Sequence, residues 1–145
     1  MSLKIYLAGK MSGLSFKEMN EWRQELKEIL NKCSENSNTR VNVINPVDFY
    51  NFEEKRHQNE LEVEEYDLAH VVSSNIIVVN LDGLSDSIGT IIELHDAKYH
   101  NKIPVIAFGD SSTYKILHPW IKNDITRVED NIYGVAEYIQ DFYLN

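Results

Sequence analysis

Two carboxylates, Asp82 and Glu93, have the residue type and the placement that cleavage of a glycosidic bond requires. Glu93 follows Gly89 by four residues and lies within a predicted strand, turn and helix element. Asp82 follows the strand of that element, so both side chains are expected on one rim of the sheet. When two carboxylates share a crevice, one tends to stay protonated while the other ionises. One acid can then attack a sugar carbon while the other protonates the leaving group.

Both acids also have simple structural explanations. Acids are common near the start of a helix, where the helix dipole favours an ionised carboxylate, so Glu93 could be an ordinary surface residue. Asp82 precedes Gly83, and Asp-Gly is a frequent turn dipeptide. The residues alone leave these explanations open beside the catalytic one.

Strand and helix patterns alternate along the chain. Short apolar segments predict strands over residues 3–8, 41–44, 75–79, 103–108 and 125–128. Apolar residues at helical spacing predict helices over residues 16–33, 59–73, 90–99 and 130–143. Strands separated by helices of this length imply right-handed crossovers and a parallel sheet. The expected fold class is therefore α/β, with a single doubly wound domain over residues 1–145, a five-stranded parallel sheet and helices on both faces.

Polar and glycine residues follow two of the predicted strands. Ligands of doubly wound sheets bind outside the carboxyl ends of the strands. The loop after the first strand carries Gly9, Lys10 and Ser12, and the loop after the third carries Asp86 and Ser87. These residues are candidates for binding a small ligand. The competing explanation for such loop serines is that they cap the helices that follow.

Composition limits the classes of partner. The 145 residues include 23 acids against 14 bases, a net charge of −9, so a nucleic-acid polymer is not an expected partner. A small anion can still bind to backbone N–H groups and a local cation. The single cysteine, Cys33, excludes an intramolecular disulfide framework and a cysteine-rich metal site. No apolar stretch approaches the length of a membrane span, and residues 1–4 lead directly into a strand, so we expect a cytoplasmic protein without a membrane partner.

Two segments resemble the nucleoside 2-deoxyribosyltransferase family, which includes relatives that hydrolyse 2′-deoxynucleoside 5′-monophosphates. The segments are residues 4–9, which read Lys-Ile-Tyr-Leu-Ala-Gly, and residues 82–93, which end in Ile-Gly-Thr-Ile-Ile-Glu. The order of predicted elements is similar over nearly the whole chain. The resemblance implies a flavodoxin-like fold. It also implies that Glu93 attacks C1′ of a 2-deoxyribosyl group, that Tyr6 orients Glu93, and that Asp82 contacts the substrate and handles the proton of the base.

The chain departs from the family pattern ahead of the nucleophile. Family members commonly have an Asp six residues before the Glu, whereas Ser87 has that position here and Asp86 lies one residue further away. Ser87, Lys10 and Ser12 could together hold a 5′-phosphate, as in the nucleotide-hydrolysing relatives. The family also borrows residues from a neighbouring subunit. The resemblance therefore implies a homo-oligomer with active sites near subunit interfaces, to which Asn123 would contribute.

We therefore expect an enzyme that moves a deoxyribosyl group from one base to another through a covalent Glu93 intermediate. No metal or organic cofactor is expected. The partners would be a nucleoside or nucleotide and a free base, with Gly9, Lys10, Ser12, Asp86, Ser87, Gly89 and Asn123 as binding residues. Hydrolysis of a 5′-monophosphate and a non-catalytic nucleotide-binding module stay open as alternatives.

Overall fold

A computed structural model describes residues 1–50 and 56–144 of the chain. The strands are β1 (Ser2–Ala8), β2 (Arg40–Ile44), β3 (Ile76–Asn80), β4 (Val105–Phe108) and β5 (Arg127–Glu129). The α-helices are α1 (Phe16–Glu35), α2 (Glu60–Val72), α3 (Ile88–His95), α4 (Ser111–Lys115), α5 (Pro119–Lys122) and α6 (Ile132–Tyr143). Two 3₁₀ turns span Pro46–Phe49 and Leu84–Asp86, and α3 continues as a π-helical turn over Asp96–His100.

The strands form one parallel sheet in the order β2-β1-β3-β4-β5. This confirms the predicted α/β fold class and its five-stranded parallel sheet. The chain runs from β1 to β2 on one side and then returns to β3 on the other side of β1. The strand order therefore reverses between β1 and β3, and a crevice is expected at the carboxyl ends of these two strands.

Apolar side chains fill two cores, one on each face of the sheet. In β3, Ile76 and Val78 pack in the core that includes α1 and α6, whereas Ile77 and Val79 pack in the core that includes α2 and α3. All four side chains are inaccessible to solvent. This two-sided burial explains why the segment is continuously apolar instead of alternating with polar residues.

Several element boundaries differ from the sequence prediction. Helix α3 begins at Ile88 instead of Thr90, so Glu93 lies in its second turn and not in its first. Helices α4 and α5 were not predicted; they have five and four residues, too few to show a helical period. The first helix begins as expected. Ser15 accepts a hydrogen bond from the Glu18 backbone, and the Glu18 carboxylate accepts one from the Ser15 backbone.

Candidate active site

A cavity of about 840 Å³ opens at the carboxyl ends of β1 and β3. Its walls are the loop over residues 9–14, the start of α3 with the residues before it, and one side of α2. This is the edge at which the strand order reverses, where doubly wound sheets bind ligands. The loops that the sequence analysis selected therefore line one cavity. The predicted binding residues that line it are Gly9, Lys10, Ser12, Asp86, Ser87 and Gly89.

Glu93 lies in this cavity and pairs with Tyr6. The Tyr6 side chain stands on β1 and is only 1% exposed. Its hydroxyl donates a hydrogen bond to Oε2 of Glu93 at 2.5 Å. One carboxylate oxygen is thus held by a residue of the central sheet. This contact joins the first and the last of the predicted catalytic residues, which are 87 positions apart in sequence.

Burial dominates the electrostatics of Glu93. It raises the pKa of this carboxyl to about 8; the hydrogen bond from Tyr6 and the charge of Arg23 oppose the rise, and the charge of Asp67 adds to it. We had expected the dipole of α3 to keep Glu93 ionised. That expectation fails because the dipole acts mainly on the first turn, and Glu93 is buried in the second. Burial and the negative charge of Glu93 also raise the pKa of Tyr6, so its hydroxyl stays a neutral donor.

A second acid, Asp67 of α2, lines the cavity. The Tyr50 hydroxyl donates a hydrogen bond to its Oδ2, and burial raises the pKa of the Asp67 carboxyl. The same bond and burial raise the pKa of Tyr50, which also lines the cavity. The sequence analysis did not select Asp67 as a site residue. The available signal was the spacing of Glu60, Glu64 and Asp67, which at i, i+4 and i+7 share one helix face.

Asp82 is exposed and is not among the residues that line the cavity. Its backbone N–H donates to Oδ1 of Asn80 at 3.0 Å, and Gly83 after it has φ +71°. These features are those of a turn residue. The structure therefore does not bring the Asp82 and Glu93 carboxylates together in the cavity of this chain, and the catalytic role of Asp82 remains a prediction.

The rim beside β1 carries groups suited to an anion. Lys10 lines the cavity, and its aliphatic stem lies against Gly83, where an added Cβ would meet Lys10 Cδ at 2.6 Å. The Ser87 hydroxyl pairs with that of Thr90 at 2.7 Å and makes no capping bond to α3. Helix α3 therefore begins at the cavity without a side-chain cap, an arrangement that favours a bound anion.

Asn123 lies far from these groups in sequence and outside the cavity lining. It is exposed and follows α5 as its C-terminal cap. Nearby, Ile116 and Trp120 are 83% and 78% exposed. This chain by itself does not bring Asn123 to Glu93.

Within residues 1–50 and 56–144, no group of three or more His, Cys, Asp or Glu side chains could hold a metal ion. In the same ranges no helix is both long and apolar enough to cross a membrane.

Comparison with known proteins identifies the fold. No protein-family model matches this chain, and no curated protein matches its sequence. A conserved protein from Enterococcus faecalis V583 superposes with a TM-score of 0.75 at 18% identity, covering 97% of this chain and 99% of its own. A 2-deoxyribosyltransferase from Bacillus psychrosaccharolyticus superposes with a TM-score of 0.65 at 20% identity, covering 93% and 91%. The CMP N-glycosidase BcmB of Clostridium botulinum gives 0.50 at 12% identity, covering 96% and 99%.

These similarities establish the architecture. The chain has the α/β fold that is found in a 2-deoxyribosyltransferase and in a CMP N-glycosidase. This is the fold that the resemblance of residues 4–9 and 82–93 implied.

Proposed function

We propose that this protein is an enzyme that cleaves the N-glycosidic bond of 2′-deoxynucleosides and transfers the deoxyribosyl group to another base. The observation that carries the proposal is the Tyr6 hydroxyl at 2.5 Å from Glu93, in a cavity of about 840 Å³ at the reversal of strand order. A buried carboxylate held on one oxygen has the other available for attack. Two of the structural neighbours, a 2-deoxyribosyltransferase and a CMP N-glycosidase, support N-glycosidic chemistry.

The reaction proceeds in two displacements. In the first, a carboxylate oxygen of Glu93 bonds to C1′, the C1′–N bond breaks, and its electron pair leaves with the base. A neighbouring acid protonates the departing base. In the second, a ring nitrogen of the acceptor base bonds to C1′, the proton on that nitrogen passes to the acid that was deprotonated in the first step, and the C1′–O bond to Glu93 breaks to release its carboxylate. Two inversions give net retention at C1′, and Tyr6 stabilises the carboxylate whenever Glu93 is ionised.

Two acids are candidates for protonating the base. Asp67 lines the cavity, and burial raises the pKa of its carboxyl, which favours a protonated donor. Asp82 is the acid that the resemblance assigned to this role, but it lies outside the cavity lining. The geometry favours Asp67, with Tyr50 fixing its orientation.

Hydrolysis of a 2′-deoxynucleoside 5′-monophosphate is the second candidate function, and the anion-binding rim favours it. Lys10, Ser12 and the uncapped start of α3 line the cavity, and Ser87 replaces the acid that family members commonly have there. A phosphate would gain an ammonium and backbone N–H groups in this region. Water would then take the place of the acceptor base.

We also propose a cytoplasmic homo-oligomer with active sites near subunit interfaces. Exposed apolar side chains of the α4–α5 region support the assembly, notably Ile116 and Trp120 at 83% and 78% exposed. Trp side chains are enriched at such interfaces. A partner subunit could then bring Asn123, which is remote from Glu93 within one chain, to the cavity of its neighbour.

Chromatography of products tests the proposed function. The protein is incubated with a panel of 2′-deoxynucleosides and their 5′-monophosphates, with and without a second free base. A new nucleoside that forms only with the second base supports transfer, whereas free base released from a monophosphate without an acceptor supports the hydrolase. Glu93→Ala is the control and should be inactive in both. If no substrate reacts, the cavity is that of a nucleotide-binding module without turnover.

A further inference from the structure

Arg23 is a buried cation that the proposed chemistry does not use directly. It lies in the middle of α1 and is 0% exposed. Its guanidinium donates from Nε to the carbonyl of Leu7 at 3.3 Å, from Nη2 to the carbonyl of Gly9 at 3.0 Å, and from Nη1 to the carbonyl of Met19. Within residues 1–50 and 56–144, no carboxylate forms an ion pair with it.

The guanidinium supports the loop that begins the cavity wall. Leu7 is near the end of β1, and Gly9 is the first residue of that wall. A Cβ on Gly9 would lie 3.2 Å from Nη2 of Arg23 and 3.1 Å from the Trp22 ring, so the glycine lets the backbone approach this closely. The Trp22 ring packs 4.6 Å from the guanidinium carbon. Arg23 therefore fixes the end of the strand that carries Tyr6.

A buried guanidinium without a carboxylate partner is costly, and such a charge is usually compensated nearby. Arg23 stays charged at neutral pH because burial lowers its pKa only to about 10, while the charges of Tyr6, Glu93 and Tyr50 oppose that change. Tyr6 and Tyr50 stay neutral because their own pKa values are raised. Glu93 is consequently the group among these that becomes negative in the accessible pH range.

We infer that Arg23 is a positioning residue for the Glu93 site, which holds the end of β1 and supplies the positive charge against which Glu93 ionises. The other groups that act on Glu93 come from three further parts of the fold. Tyr6 of β1 donates to Oε2, Asp67 of α2 opposes ionisation, and Tyr50 binds Asp67. Arg23 is the cation of this set. Its effect on turnover rests on the proposed function, but its effect on Glu93 ionisation does not.

The test is a pH titration of the Glu93 side-chain carboxyl by ¹³C nuclear magnetic resonance. We expect a midpoint near pH 8 in the parent protein and a rise of about one pH unit in Arg23→Met, because a compensating charge is lost. Arg23→Lys keeps the positive charge, so its Glu93 midpoint should lie close to that of the parent protein. Lys27→Met is the matched control: it removes a cation from the same helix, but one that is paired with Asp48 at 3.3 Å on the surface. An unchanged midpoint in folded Arg23→Met would overturn the inference.

A second measurement needs no change at Arg23. The ¹⁵Nε resonance of Arg23 in the parent protein should shift with the Glu93 midpoint, and in Glu93→Gln the shift should be absent. A flat resonance in the parent protein would refute the coupling even if Arg23→Met does not fold. Neither measurement uses turnover. Coupling without any deoxyribosyl chemistry would therefore contradict the proposed function alone, and turnover without coupling would contradict this inference alone.

Discussion

Glu93 was selected as a candidate from its residue type and its position after a strand and a turn, whereas the role of Tyr6 came from the resemblance to a known family. The ionisation of Glu93 was not predictable in the same way. Burial raises the pKa of Glu93, the hydrogen bond from Tyr6 and the charge of Arg23 oppose the rise, and the charge of Asp67 adds to it. These residues come from different elements, which folding alone brings together. The argument from the helix dipole considered α3 alone and predicted a lowered pKa for Glu93, which is the opposite direction. At the residue scale, local pattern thus nominates a nucleophile, and tertiary packing sets its pKa.

The raised pKa of Glu93 predicts the pH dependence of turnover. Attack requires an ionised Glu93 and departure of the base requires a protonated acid, so kcat/KM should pass through a maximum with pH, and one limb of the profile should report Glu93 near pH 8. Measuring kcat/KM from pH 5 to 10 tests this. A profile without a transition near pH 8 would show that Glu93 is not buried as described.

The same shift predicts a pH-dependent stability difference between the parent protein and Glu93→Gln. The folded pKa of about 8 exceeds the ordinary glutamate pKa of 4.5. The contribution of Glu93 to stability is therefore fully present below about pH 4.5 and is lost as pH rises towards 8. The glutamine has no such loss, so its stability relative to the parent should increase over this range by on the order of 4 kcal/mol. Urea unfolding at pH 5 and pH 9 measures it, and a constant difference would contradict the burial.

At the scale of elements, α2 lies where the sequence predicted a helix, but its apolar residues are not all buried. Leu61 and Val72 are 59% and 44% exposed, whereas Val71 is fully buried. The apolar residues of this helix are only weakly periodic, so they do not indicate which side faces the cavity. That side carries Glu60, Glu64 and Asp67. Acids are normally solvated, so the shared helix face of Glu60, Glu64 and Asp67 does not by itself distinguish a site from the surface.

This face predicts which acid protonates the leaving base. Asp67→Asn should lower kcat by about 10²- to 10⁴-fold, the usual contribution of a general acid. Asp82→Asn should change it by less than about 10-fold, because Asp82 lies outside the cavity lining. Single-turnover rates for both variants decide the assignment. A larger loss of kcat in Asp82→Asn than in Asp67→Asn would assign the role of general acid to Asp82.

At the scale of the whole molecule, the alternation of strands and helices was enough to predict the parallel sheet. The short helices α4 and α5 were not predicted, and their exposed apolar residues are the strongest indication of assembly. An isolated chain cannot reveal from its sequence which exposed side chains a partner covers. Asn123 is an example, since its proposed role depends on another subunit.

The proposed assembly can be tested by changing residues outside the cavity lining. The double variant Ile116→Lys, Trp120→Lys should shift the protein towards the monomer, because charged side chains are disfavoured in the centre of an interface. Light scattering after size-exclusion chromatography measures the mass. We expect activity to fall with the oligomer; a parent protein that is already monomeric and active would contradict the assembly.

The covalent deoxyribosyl-Glu93 intermediate is the central claim. Acid quenching of the protein during turnover, followed by proteolysis and mass spectrometry, should find one deoxyribosyl group on the peptide that contains Glu93, and none in Glu93→Gln. Sustained product formation by folded Glu93→Gln, or a sugar adduct on a different side chain, would contradict the mechanism.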